Sequence, residues 1–134
     1  VENIGVALAR FNRILAAEGE DPVRIGMGLH IGTVVLGEIG TTGNAPRTLI
    51  GATVNTASRL EAKTKDLGVE LLVSAESVQA AGLTAPLEKL QTFELRGVDQ
   101  PVTALPVPRA STLDMLLSTQ PDTSDEVTIL ARQR

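Results

Sequence analysis

The sequence predicts an α+β sandwich, in which helices pack on a mixed, mainly antiparallel sheet. Helical and strand-like periodicities alternate along the chain, glycines mark the turns between them, and a pair of strands near the C-terminal end reads as a hairpin. The chain has 134 residues, 43% of them hydrophobic, which is enough for one domain with a buried core.

Apolar residues at helical spacing predict a first helix that ends near Glu18, where Gly19 follows. These residues are Ile4, Leu8, Phe11 and Leu15. Val23–Ile31 is predicted to be a strand, and Gly32 a tight turn into a second strand over Thr33–Leu36. The two strands are therefore expected to pair as a hairpin.

A loop rich in glycine, threonine and asparagine is predicted for 37–46. A second helix follows from about Ala52 to Asp66, and Gly68 ends it. One side of this helix is expected to face the core, and its stripe consists of Val54, Ala57, Leu60, Thr64 and Leu67.

The C-terminal half is predicted to contain a buried strand over 69–73 and a short helix capped by Ser74. Leu90–Leu95 and Val102–Val107 are predicted as a strand hairpin. Residues 1–107 are interpreted as one domain. Residues 108–134, where the pattern fades, are interpreted as a disordered tail or linker, apart from a short amphipathic helical turn near 111–117.

The composition excludes several classes of function. A net charge of −4 without a basic cluster argues against nucleic acid as a partner, and the two phenylalanines offer no stacking platform for bases. The absence of cysteine excludes disulfides and thiolate metal sites. No apolar run approaches the roughly 20 residues of a membrane span, so no membrane contact is expected within this segment.

The chain begins at Val1, already inside a helical pattern and without a capping residue. We therefore expect it to be a fragment of a longer protein.

Asn55 and Arg59 are the most informative pair of polar residues. At about 100° per residue they lie roughly 40° apart around the second helix, away from its apolar stripe and near its positive end. This placement suits an anion or a polyphosphate, although spacing alone favours an ordinary solvated face. The glycines of 26–43 match no phosphate-loop pattern, and the single histidine, His30, is expected to be packed or hydrogen bonded.

Three segments carry a resemblance to a known family. Arg24–Gly32, Val34–Gly40 and Ile50–Glu61, in this order, closely resemble the C-terminal portion of the class III adenylate/guanylate cyclase catalytic domain. Leu71–Ser74 and Leu95–Val98 resemble its later strands. The resemblance covers about residues 1–107. It implies the nucleotide cyclase fold, a ferredoxin-like sandwich, with its N-terminal part missing.

The resemblance implies a role for each matching residue. Asn55 looks like the amide that orients the ribose, and Arg59 like the arginine that stabilises phosphate charge as the 3′-hydroxyl attacks the α-phosphorus. Thr48 falls where the family reads the purine base, which favours ATP. Some cyclases hold the terminal phosphates with a lysine where this chain has Val102, and Arg96 is the nearest basic residue to that place.

The resemblance also implies parts that this chain does not contain. The family binds Mg²⁺ or Mn²⁺ with two upstream aspartates, and it builds its sites across a homodimer interface. The chain is therefore expected to supply no metal ligands and to be inactive alone, as a cytoplasmic domain whose parent protein a membrane could tether. Three alternatives stay open: a guanylate cyclase, a non-catalytic cyclase-homology module for dimerisation or regulation, and a generic ferredoxin-like binding domain.

Overall fold

The computed structural model describes residues 1–38 and 47–119. In chain order its helices and strands are α1 (Glu2–Ala17), β1 (Met27–Leu29), β2 (Val35–Glu38), β3 (Arg47–Ile50), α2 (Ala52–Leu67), β4 (Leu71–Ser74), α3 (Ala75–Ala80), β5 (Leu83–Thr84), β6 (Gln91–Phe93), β7 (Val102–Val107), α4 (Leu113–Leu116) and β8 (Ser118–Thr119). Two 3-10 turns, Leu87–Lys89 and Ala110–Thr112, complete the description.

The central sheet has four strands in the order β1-β4-β7-β6. β1 runs parallel to β4, whereas β4 with β7 and β6 with β7 are antiparallel. The predicted α+β class with a mixed, mainly antiparallel sheet is confirmed, as is the C-terminal hairpin of β6 and β7.

Each face of the sheet carries its own hydrophobic core. The face under α2 buries Leu60, Leu72, Phe93, Leu95, Val102 and Ala104. The opposite face, under α3 and the C-terminal elements, buries Leu71, Val73, Val78, Leu105, Val107 and Ala110. Because successive residues of a strand point to opposite faces, β4 contributes Leu72 to one core and both of its neighbours to the other.

The local signals for the helices are confirmed. α2 ends at Gly68, whose φ of +66° places it in the left-handed region that helix C-termini favour. α3 begins after Ser74, whose hydroxyl accepts a hydrogen bond from the Ser77 N–H at 3.2 Å. Both signals are local, because Gly68 and Ser74 lie at the helix ends that they determine.

The predicted hairpin around Gly32 is wrong. β1 pairs with β4, across a connection that contains α2, and β2 pairs instead with β3. The first strand is also shorter than predicted, since it covers only Met27–Leu29. Val23 lies outside it, and its backbone exchanges two hydrogen bonds with the Asn12 side chain, at 2.8 and 2.9 Å. The second strand begins at Val35, two residues later than expected, and it extends to Glu38, so 37 and 38 are strand and not loop as predicted. The rest of the predicted loop, 39–46, lies outside the described residues.

The predicted apolar stripe of α2 is confirmed only in part. Leu60 and Thr64 are buried as expected, whereas Val54 and Ala57 are half-buried and Leu67 is 37% exposed. Leu67 is the last residue of the helix, where the chain turns at Gly68. Thr56, which lies outside the predicted stripe, is buried.

The described part of the predicted tail is folded. α4 and the 3-10 turn at Ala110 pack on the sheet, and a Cβ added at Gly5 of α1 would contact the Ala110–Ser111 backbone. The predicted helical turn near 111–117 is confirmed by α4 and the 3-10 turn before it. Residues 108–119 are therefore not a disordered tail, whereas for 120–134, which lie outside the described residues, that expectation stays a prediction. Among the described helices, none is both long enough and apolar enough to cross a membrane.

Candidate functional site

The site begins at the sharp entry into α2. Gly51 has a φ of +148°, and its carbonyl accepts the first hydrogen bonds of the helix from Val54 N and Asn55 N, at 3.1 and 3.3 Å. Among the described residues no side chain caps this end of the helix, and the first turn of α2 contains no acidic residue. The positive end of the helix dipole is therefore not neutralised locally.

The first turn of α2 is tied to the strand connection beneath it. Thr53 Oγ1 donates a hydrogen bond to the Thr33 carbonyl at 2.8 Å, and a Cβ added at Gly32 would contact the same hydroxyl. These contacts hold the start of α2 close to the base of the β2–β3 hairpin. The first turn of α2 is therefore held in place relative to the strands.

Asn55 is exposed on α2, and its side chain is oriented by a distant turn. Its Nδ2 donates a hydrogen bond to the Gly97 carbonyl oxygen at 2.9 Å. Gly97 lies in the connection between β6 and β7, 42 residues along the chain. Sequence reasoning predicted the exposure of Asn55 from helical spacing but missed this contact.

Arg59 lies one helical turn after Asn55 and is also exposed. Among residues 1–38 and 47–119 its guanidinium has no hydrogen-bond or ion-pair partner. By contrast, Lys63, a further turn along, is paired with Asp66 at 3.2 Å. Because residues four apart are neighbours on a helix surface, Asn55 and Arg59 form one polar patch with an uncompensated positive charge.

Arg96 and Thr48 lie on the two elements that adjoin this patch, the turn after β6 and the strand β3. Arg96 is exposed and directly precedes Gly97, the residue that Asn55 contacts. Thr48 is half-buried on β3, opposite Gly37, on the strand that leads into α2. No described hydrogen bond joins Thr48 to the other site residues, so its role as a base-reading group stays a prediction.

A cleft of about 490 Å³ lies at the turn that follows β6. It is lined by Glu94, Leu95, Arg96, Val98, Asp99 and Pro101. The cleft offers one basic and two acidic side chains next to the polar patch of α2.

His30 occupies the carboxyl end of the parallel strand pair, and the prediction of a hydrogen-bonded histidine is confirmed. Its Nδ1 lies 3.0 Å from Ser74 Oγ, which in turn lies 2.9 Å from Ser77 Oγ. Because Ser74 also caps α3, this small network joins three elements beneath the start of α2. It is polar but internally satisfied, which favours a structural role.

No metal centre is formed by the described residues. Within 1–38 and 47–119 no three histidine, aspartate or glutamate side chains come together in a way that could hold an ion. The donor set of this part of the chain does not fit a divalent metal. The chemistry that these residues can supply is recognition of a polar, anionic ligand by an amide and by arginine.

Comparisons with known proteins identify the family of the chain. Residues 2–105 match the family model of the adenylate and guanylate cyclase catalytic domain. The chain is 39% identical over 80 residues to an adenylate cyclase of Anabaena cylindrica, covering 60% of this chain and 15% of that protein. It is 36% identical over 90 residues to adenylate cyclase 1 of Rhizobium meliloti (strain 1021), covering 67% of this chain and 14% of that protein.

A solved structure gives the same result. The crystal structure of the guanylyl cyclase Cya2 superposes with a TM-score of 0.65 at 27% identity, over 79% of this chain and 53% of that one. The chain thus spans about one seventh of the length of the two adenylate cyclases and about half of the solved chain. With a family match over 104 of its residues, it belongs to the family of adenylate and guanylate cyclase catalytic domains.

Proposed function

We propose that the chain is part of an adenylate cyclase that converts ATP to cyclic AMP and pyrophosphate in intracellular signalling. The observation that carries this proposal is the polar patch of α2, where the amide of Asn55 is oriented and the guanidinium of Arg59 has no described partner. The names of two relatives support ATP as the substrate. We further propose that the chain acts as a cytoplasmic domain.

The proposed reaction needs positioning and charge stabilisation rather than a covalent intermediate. The ribose 3′-oxygen bonds to the α-phosphorus as its hydroxyl proton is released, and the bond from that phosphorus to the pyrophosphate oxygen breaks. Asn55 would orient the ribose, and Arg59 would stabilise the negative charge that builds on the phosphate oxygens. A planar guanidinium that donates two parallel hydrogen bonds suits this task better than a lysine.

The divalent metal of the family is proposed to come from outside the residues described. Mg²⁺ or Mn²⁺ would be bound by side chains upstream of Val1, and no step assigned here to Asn55 or Arg59 passes through it. We therefore propose that the 134 residues alone do not turn over ATP. The test is to assay the full-length protein and the isolated chain for cyclic AMP and cyclic GMP. Cyclic nucleotide formed by the isolated chain would contradict the proposal that the metal ligands lie outside these residues.

A guanylate cyclase is the second candidate, since the matched solved structure is a guanylyl cyclase. Thr48 is the residue on this chain that is proposed to distinguish the bases. We expect Thr48→Val, which removes the hydroxyl and keeps the shape, to lower kcat/KM for ATP roughly tenfold, because one hydrogen bond to the base is lost. The rate with GTP should change little.

The control for Thr48 is Thr92→Val, at an exposed hydroxyl that pairs with Thr103 on the neighbouring strand. This variant should leave both substrates unaffected. The ratio of kcat/KM for ATP to that for GTP, measured on full-length proteins, is the deciding quantity. If this ratio is unchanged in Thr48→Val, Thr48 does not distinguish the bases.

We propose that the chain acts as a homodimer, and the β2–β3 hairpin supports this. Its apolar side chains are exposed on both faces: Val35 and Ile50 form one cross-strand pair and Leu36 and Leu49 the other, with exposures between 48% and 63%. A two-stranded ribbon is marginal in water unless another surface covers it. Since β3 leads directly into α2, a second copy on this ribbon would lie next to Asn55 and Arg59.

The dimer proposal predicts that Leu49→Glu weakens self-association. A charge on the apolar ribbon would have to be desolvated at the interface, so we expect the dimer dissociation constant to rise about tenfold or more. Sedimentation of the full-length protein over a concentration series measures it. Leu87→Glu is the matched control, because Leu87 is 83% exposed on a 3-10 turn away from the ribbon. Equal effects of both variants would argue against the ribbon.

A further inference from the structure

The turn that holds Asn55 is a compact reverse turn with one unusual residue. Val98 N donates to the Leu95 carbonyl at 3.1 Å, which closes a four-residue turn, and Gly97 at its third position has a φ of +74°. A positive φ at this position is the requirement of a type II turn, and glycine meets it without steric cost. A side chain at this position would therefore strain the turn that carries the Gly97 carbonyl.

The partner of Asn55 fixes which end of the amide faces the solvent. A backbone carbonyl can only accept, so Nδ2 of Asn55 must face Gly97 and Oδ1 must point away from it. The exposed end of the side chain is therefore an acceptor. A ligand that contacts it has to bring a donor, as a ribose hydroxyl does.

We propose that Gly97 is a positioning residue for the cyclase reaction, because its left-handed conformation aims the carbonyl that orients Asn55. The inference rests on the proposed function, in which Asn55 contacts the ribose. Without this carbonyl the amide is free to rotate and to present Nδ2 in place of Oδ1. The ribose hydroxyls would then face a donor, and the 3′-oxygen would lose its alignment with the α-phosphorus.

The packing around the turn supports this role. Leu95 of the turn and Leu60 of α2 are buried in the same core cluster, with Val98 packed against it. The turn and the helix are therefore held together independently of Asn55. A Cβ added at Gly97 would lie 3.8 Å from Asn55 Nδ2, which is an ordinary contact. The backbone angle, and not a lack of space, is what calls for glycine here.

The test uses the full-length protein with Gly97→Val and Gly97→Asn. A β-branched residue avoids positive φ, so Gly97→Val should rotate the carbonyl and lower kcat roughly 100-fold, with KM for ATP within about threefold. Asparagine tolerates positive φ, so Gly97→Asn should retain most of the rate. If Gly97→Val does not fold, Gly97→Ala takes its place. A Gly97→Asn protein as slow as Gly97→Val would overturn the inference.

A matched control separates this effect from general strain. Gly82 lies between α3 and β5 and has a φ of +68°, and no atom of the part of the chain that the structure describes comes within 4 Å of an added Cβ. Gly82→Val imposes similar backbone strain and should leave kcat within about twofold. If Gly82→Val lowered kcat as much as Gly97→Val does, backbone strain alone would explain the result, and not the orientation of the Gly97 carbonyl.

A double-mutant cycle tests whether Gly97 acts through Asn55. The Gly97→Val change should cost less than about threefold in an Asn55→Ala background, since the carbonyl then has nothing to orient. Losses that multiply would contradict the inference. If the unaltered protein forms no cyclic nucleotide, the proposed function fails, and the contact is then tested by urea unfolding of the unaltered protein, the two single variants and the double variant. A double variant destabilised by less than the sum of the single variants would support the contact between Gly97 and Asn55. Destabilisations that simply add would overturn it.

Discussion

Replacing Arg59 with alanine is expected to lower kcat of the full-length enzyme by about 100- to 1,000-fold. This is the usual loss when one preorganised electrostatic stabiliser of a transition state is removed. Arg59 is exposed and without a described partner, and alanine is a good helix former, so the fold should be unaffected. Affinity for ATP should change much less than kcat, because in the proposed mechanism Arg59 acts on charge that builds during the reaction.

The neighbouring cation on the same helix supplies the control. Lys63→Ala also removes one positive charge from α2, but that charge is already paired with Asp66. It should leave kcat within about twofold, since an exposed pair of this kind contributes little. Arg59→Lys should remain impaired, because an ammonium lacks the planar fork of donors. An Arg59→Ala enzyme that turns over ATP at nearly the original rate would remove Arg59 from the reaction.

The features that sequence predicts well here are those with local causes. The ends of α2, the Ser74 cap and the exposure of Asn55 and Arg59 depend on residues within one or two helical turns. Each signal is carried by the backbone preference of glycine, by a capping hydroxyl or by helical periodicity. The element that bears the candidate site was therefore predictable almost to its last residue.

The features that sequence predicts poorly depend on partners that are distant in the chain. Alternation of residues identifies a strand but not its neighbour, so the glycine at position 32 suggested a hairpin, whereas β1 pairs with β4 across α2. The same limit applies to the bond between Asn55 and Gly97. The sequence shows a turn at Gly97, yet the fact that its carbonyl meets Asn55 follows from the packing of this turn on α2.

Gly28 shows how closely the helix with the candidate site approaches the sheet. A Cβ added at Gly28 would contact the Ala57 carbonyl oxygen and would lie 2.5 Å from Glu61 N. Both atoms belong to the backbone of α2, so no side chain can rotate away to relieve the overlap. The helix would have to move as a body, and Asn55 and Arg59 would move with it.

We therefore expect Gly28→Ala to destabilise the protein by about 3 kcal/mol, the upper end of the usual cost of overpacking. Urea unfolding of the full-length protein measures this as a lower midpoint. Gly37→Ala is the matched control, since Gly37 also lies in a strand but, among the described residues, an added Cβ would meet only Ile50 Cδ1, at 3.9 Å. That change should stay within about 0.5 kcal/mol. Comparable midpoints for the two variants would mean that α2 lies farther from β1 than the structure has it, and the position of the site residues on the sheet would need revision.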